Sequence, residues 1–220
     1  MRRGRALSRC VLLCLLCTIS VVQAQEKKVR SHIDEGHGFV LAYPAEYALR
    51  TVGAGGDFSI EGRDGSSVLT GQIEELAGYP RGTYVHSRDV FLDFAVDRAV
   101  LRCGADGPDG SAYCKAVYSI THFENPRGLR VLKLLLEHVQ VVYSDPPETT
   151  ETVVGPVYAV DISRPGYVAF LMVGAAPYEV LSGARIRLAE DLIGGLSLLP
   201  DSRFLPRPVR PGAVDTGSGR

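Results

Sequence analysis

Four residues near the start of the chain, His32, Asp34, Glu35 and His37 in SHIDEGHGF, are of types that ligate zinc or manganese. Brought together they could activate a water molecule, so one reading of the sequence is a metal-dependent hydrolase using His32, Asp34 and His37. The stretch lacks the helical His-Glu-x-x-His spacing that pre-organises two ligands, and it precedes the first strand-like run. The favoured reading is therefore an N-terminal lead without a metal site. A second cluster, His86, Ser87 and Asp89 in YVHSRD, has the residue types of a nucleophilic triad. Triads are assembled from distant segments, whereas Ser87 here suits a helix N-cap and Asp89 the first helical turn. No Gly-x-Ser-x-Gly elbow occurs, and VGAGGDF has neither dinucleotide nor Walker spacing, so it reads as a mobile turn. No catalytic residue and no cofactor are expected.

The remaining chemistry lies in CGADGPDGSAYC, residues 103–114. A calcium loop needs acidic or amide side chains at alternate positions and a closing Glu, and only Asp106 and Asp109 are on offer. Two thiolates without a nearby second pair leave half of a zinc tetrahedron empty. Cys103 and Cys114 are best read as a disulfide, which in a loop of this length stabilises a fold by about 3 kcal/mol.

A disulfide implies an oxidising compartment, and the chain begins accordingly. Arg2, Arg3, Arg5 and Arg9 precede a Leu/Val/Cys run that ends in Val22-Gln23-Ala24, the pattern of a secretory signal over residues 1–24 cut before Gln25. The apolar run falls short of the roughly 20 residues that span a bilayer, and no later stretch competes with it. The expectation is a periplasmic or secreted protein with no transmembrane segment after signal removal. The signal removes four of the 24 basic residues and none of the 25 acidic ones, so the remainder is acidic and offers no face for nucleic acid. Residues 25–35 read as a lead, 36–200 as one domain, and the Pro, Gly and Arg-rich residues 201–220 as a disordered tail.

Within the domain, SRDVFLDFAVDRAVLR sets Val90, Phe91, Phe94, Ala95 and Ala99 on one helical face, with Asp89 near its start and Arg98 and Arg102 near its end. The acidic series Asp89, Asp93 and Asp97 reads as a solvated face. Residues 129–143 would pass as an amphipathic helix or a strand. A hairpin turning at ENPRG pairs Phe123 with Leu129, Lys115 with Glu137 and Val117 with Leu135, which matches apolar with apolar and charge with opposite charge. Two long antiparallel strands follow. That register puts His122 opposite Arg130 and His138 opposite Cys114, as separate surface or edge residues. A second hairpin turns at Asp64-Gly65, GPVYAVDIS and GYVAFLMVG form two more strands, and VLSGARIRLAEDLI forms a helix closing at Gly194-Gly195 before the short strand LSLL. Tyr43, Tyr47, Tyr79 and Tyr84 could line a ligand pocket, although core tyrosines with tethered hydroxyls are the preferred reading. The fold class is α+β, an antiparallel β-sheet with flanking helices.

The order of these elements, with the opening HGFVLAYPAEY and the closing helix before Leu-Ser-Leu-Leu, resembles the PsbP-like superfamily, named for the extrinsic subunit of photosystem II. The resemblance covers residues 36 to 200. It implies an α/β/α sandwich and a binding or assembly protein rather than an enzyme, but no family ligand residue maps onto this chain. Taken together, the sequence points to an exported, non-catalytic binding or assembly protein of the bacterial cell envelope, holding a protein or a small molecule. The alternatives are the metal-dependent hydrolase and a structural component of an envelope complex.

Overall fold

The computed structural model describes residues 28–53, 55–76, 89–103, 112–142, 144, 146–175 and 179–205. The signal reading, Tyr79, Tyr84, His86, Ser87, Asp106, Asp109 and residues 206–220 lie outside them. Among the described residues ten strands form two antiparallel sheets. β1 (Val29–Asp34), β2 (Phe39–Pro44) and β10 (Leu196–Leu198) make a small sheet in the order β1-β2-β10. The large sheet contains β3 (Ala48–Val52), β4 (Asp57–Glu61), β5 (Ser67–Glu75), β6 (Ala112–Glu124), β7 (Arg130–Val142), β8 (Glu148–Asp161) and β9 (Ala169–Gly174), in the order β3-β4-β5-β9-β8-β7-β6. Two helices complete the described fold, α1 (Val90–Cys103) and α2 (Gly183–Gly194), with a 3-10 turn at Asp201–Arg203. The mostly antiparallel sheet with two helices is the expected α+β class.

The period of two along a strand divides the interior into two cores. On β9, Ala169, Leu171 and Val173 belong to one and Phe170 and Met172 to the other. The first core receives Phe39 and Leu41 of β2 and Leu188, Ala189, Leu192 and Ile193 of α2. The second receives Phe91, Ala95, Ala99 and Cys103 of α1, against Leu132, Leu134 and Leu136 of β7. β9 is buried at all six positions, as a strand covered on both faces must be.

Helix ends follow local chemistry. Asp89 takes the cap position of α1, its Oδ1 accepting the Leu92 N–H at 3.3 Å, and the Ser87 cap reading lies outside the described residues. Ser182 caps α2 through the Arg185 N–H, and Gly195 closes it by donating to the carbonyls of Asp191, Leu192 and Ile193. The β4–β5 turn is as expected, with Asp64 Oδ1 accepting from Ser66 and Gly65 at φ +77°.

Arg130–Val142 is strand rather than helix, and the pairing of β6 with β7 differs from the expected register at its tip. Glu124 faces Arg130 and Phe123 faces Val131, because the turn runs from Asn125 to Leu129 rather than from Glu124 to Gly128. Asn125 is the cause: its Oδ1 accepts the Arg127 and Leu129 N–H groups at 2.9 Å, which draws Leu129 into the first core. Bulges between Cys114 and Ala116 and between Val117 and Ser119 absorb the difference, so Ala116 faces Glu137, Val117 faces Leu136 and His138 still faces Cys114. His122 lies opposite Leu132, not Arg130, and His138 is buried inside the sheet rather than at its surface. Two further segments depart from expectation. Residues 29–34, read as part of a lead, form β1, and residues 201–205, read as tail, form the 3-10 turn and fold back on the β1–β2 connection.

Candidate functional site

The His32 to His37 segment places its side chains by strand alternation and one tight turn. His32 and Asp34 stand on the same side of β1, two residues apart, and the chain reverses through residues 35–38 with the Gly38 N–H donating to the Asp34 carbonyl at 2.8 Å. The reversal points His37 inward. Its backbone N–H donates to Asp34 Oδ1 at 3.0 Å, and its Nδ1 lies 2.7 Å from Asp34 Oδ2. Asp34 thus fixes both the turn and the ring, and an ionised carboxylate can only accept, so Nδ1 carries the proton between them.

On the far side of the ring, Nε2 is 3.4 Å from Glu75 Oε1 at the end of β5, and the same oxygen accepts the Tyr167 hydroxyl at 2.8 Å. An imidazolium donates to carboxylates on both sides, whereas the neutral tautomer held by Asp34 donates to Asp34 alone. The edge of the ring is covered by Gly56. A Cβ built there would sit 2.3 Å from His37 Cε1 and 2.9 Å from Asp34 Oδ2, and its φ of +85° also demands glycine. Gly56 of VGAGGDF, a stretch expected as a mobile turn, therefore packs over this pair.

His37 is 2 % exposed. With Nδ1 bound, Nε2 facing a carboxylate and Gly56 over its edge, the imidazole presents no atom to a substrate. Asp34 and His37, expected as ligands in the hydrolase reading, meet each other instead of converging on a third point. No group of three His, Cys, Asp or Glu side chains among the described residues is arranged to hold a metal ion. His32 lines an open cleft of about 500 Å³ with Asp34, Glu35, Thr51 and Gly56. Burial holds its imidazole below the ordinary range, opposed by the smaller pull of the Asp34 charge.

The same corner is tied from the C-terminal side. Arg164, with its side chain 6 % exposed, donates to the carbonyls of Gly38 and Leu199 and to Asp201 Oδ1, and it stacks over Phe204. Arg203 reaches Glu35 at 3.1 Å. Sequence reasoning gave no role to Arg164, Glu75 or Tyr167, since their neighbours are far away in the chain.

A second polar cluster lies beside α2. The Tyr158 hydroxyl donates to Glu190 Oε1 at 3.0 Å, and Lys133 Nζ lies 3.0 Å from the same oxygen. Burial, then Glu190, pushes the Tyr158 hydroxyl well above its ordinary range, and the Lys133 hydrogen bond leads in lowering the Glu190 carboxyl. Glu190 also borders a cleft of about 310 Å³ with Pro44, Glu46, Tyr47, Arg187 and Asp191. Tyr43 and Tyr47 pack against the first core. Cys103 ends α1 and Cys114 is the third residue of β6, with their Cα atoms 5.3 Å apart and both residues buried.

No family model matches the chain, and no curated protein matches it. Among solved structures, the chain resembles cyanobacterial PsbP from Synechocystis sp. PCC 6803 over 80% of its own length and 95% of that chain, with 13% identity and a TM-score of 0.47. It also resembles a protein of Bacteroides thetaiotaomicron over 79% of its length and 49% of that chain, with 14% identity and a TM-score of 0.30.

Proposed function

We propose that the protein is an exported, non-catalytic binding or assembly component of the bacterial cell envelope, its layers arranged as an α/β/α sandwich. The observation that carries this reading is the occlusion of His37. The cluster with the most chemistry in it is enclosed by Asp34, Glu75 and Gly56 and serves to fasten the small sheet to the large one. Export is supported by the signal-like residues 1–24 and by a cysteine pair at disulfide distance, which suits an oxidising compartment. No helix among the described residues is long and apolar enough to cross a membrane.

The test is a crosslinking capture of the processed protein from its own envelope fraction, run beside metal analysis of the purified chain. The expected result is one dominant partner that is retained by Glu75→Gln, which removes the charge beside His37. A stoichiometric metal that leaves on His37→Ala would overturn the proposal in favour of the hydrolase.

A further inference from the structure

The small sheet ends at β1 and one edge of the large sheet is β3, and the cleft of about 500 Å³ is lined from both. β1 contributes His32 and Asp34, the turn after it Glu35, and β3 Thr51. Gly36 and Gly56 add backbone without side chains, which keeps the space open. A cleft of this size takes a small molecule or the end of one long side chain.

What its walls offer is mostly hydrogen-bond acceptor. Asp34 takes one His37 N–H on each oxygen, and a carboxylate has about four acceptor positions. Glu35 accepts from Arg203 at Oε1, 3.1 Å away, on the rim. The His32 ring rests near Phe39 and Phe58, with centroids 6.4 and 6.5 Å apart, and burial favours its neutral form. A neutral imidazole keeps one ring nitrogen as an acceptor, and the Thr51 hydroxyl can also accept. No Lys or Arg side chain lines the cleft. The arginines at hand are engaged, Arg203 on Glu35 and Arg50 with Glu61 at 3.7 Å.

We infer that this cleft binds a primary ammonium group, carried by a lysine side chain or by a small amine. An ammonium brings three N–H donors, no acceptor and one positive charge, which is the complement of a neutral imidazole, a hydroxyl and the carboxylates of Asp34 and Glu35. An anion meets only like charge on these walls. A sugar, whose hydroxyls both donate and accept, leaves the charge unused. The planar fork of a guanidinium is longer and wider than an ammonium, and the chain's own guanidinium, Arg203, stops at the rim. The inference rests on the binding reading only in taking a partner's lysine as one source of the ammonium, since the site itself needs no partner.

NMR titration of the processed protein reads the site, with butylammonium and Nα-acetyl-lysine methylamide as probes. The controls are the norleucine analogue, which has the four-carbon chain without the nitrogen, and methyl glucoside. Saturable shifts at His32 and Thr51 are expected from both amines, with a Kd on the order of 1–10 mM, and none from the controls. Thr51→Lys, which tethers an ammonium to the exposed wall, should abolish the response with an unchanged far-ultraviolet spectrum. Glu35→Gln should weaken it about threefold and carries the test if Thr51→Lys does not fold. Absence of saturable shifts up to about 100 mM overturns the inference, as do equal shifts from the norleucine analogue, tighter binding of the glucoside, or a folded Thr51→Lys that binds like the wild type. Excess butylammonium added to the envelope capture separates the sources: a partner displaced assigns the ammonium to its lysine, and a partner retained assigns it to a small amine. A partner captured without ammonium binding leaves the binding proposal standing, and ammonium binding with nothing captured does the reverse.

Discussion

On one side of the large sheet α1 lays Phe91, Ala95 and Ala99 over β7 and β9 and ends in Cys103, joined to Cys114. On the other side the small sheet buries Phe39, Leu41 and Leu196 in the first core and is fastened at its margins by polar side chains: His37 between Asp34 and Glu75, Arg164 across two carbonyls and Asp201, and Asn125 into the end of α2. The contrast reflects what each layer can bury. A 14-residue amphipathic helix supplies a continuous apolar stripe, so one covalent link to the adjacent strand suffices to hold its end. β10 has three residues and β1 is mostly exposed, so their apolar area is small and hydrogen bonds to buried groups fix their position. The polar side is also the more exacting of the two, because losing one partner strands another in the interior.

That asymmetry can be broken in graded steps. The largest effect is expected from His37→Ala, which takes the imidazole away from the buried Asp34 Oδ2 while the backbone N–H stays on Oδ1, and should cost about 4 kcal/mol in urea unfolding. A loss under 1 kcal/mol would show that the junction is not polar-fastened. Next, the double variant Cys103→Ser with Cys114→Ser should lower stability by about 3 kcal/mol, and reductant should have no further effect on it. Asn125→Ala removes four hydrogen bonds to backbone groups of the β6–β7 turn and the end of α2, and a fall of about 2 kcal/mol in chemical denaturation is expected.

The smallest effect belongs to Tyr158→Phe, about 1 kcal/mol at neutral pH, and it carries a pH signature. The native hydroxyl keeps its proton above its ordinary value of about 10, so its contribution is complete below that pH and is lost as pH rises through the native value. Alkaline titration of melting temperature should therefore decline more steeply for the wild type than for Tyr158→Phe.

Most of the elements were legible in the sequence because their signals are local. Gly195 closes α2 where expected, although the helix starts at Gly183 behind the Ser182 cap rather than at Val180; Asp64-Gly65 turns the β4–β5 hairpin, and alternation with matched pairs picked strands over a helix beyond the ENPRG turn. The tip register was not legible, since the turn is set by an Asn125 side chain whose amide is held by carbonyls of Ile193 and Leu196. The candidate site was half visible. Asp34 and His37 are three residues apart and could be named, but their lid at Gly56, the carboxylate of Glu75 and the hydroxyl of Tyr167 arrive from three other segments. Sequence spacing suggested two metal ligands, and tertiary closure turned the same atoms inward on each other.

The short strand β10 also governs the order in which the molecule can be completed. It pairs with β2, so Leu41 of an early strand waits for Leu196, and Asn125 waits for the carbonyls at the end of α2. A chain emerging from a ribosome or threading through a membrane pore can form its local hairpins, but it cannot close the small sheet until almost all of the domain is free. Such long-range closure slows folding. It also leaves both ends of the domain without their partners until its last residues are present.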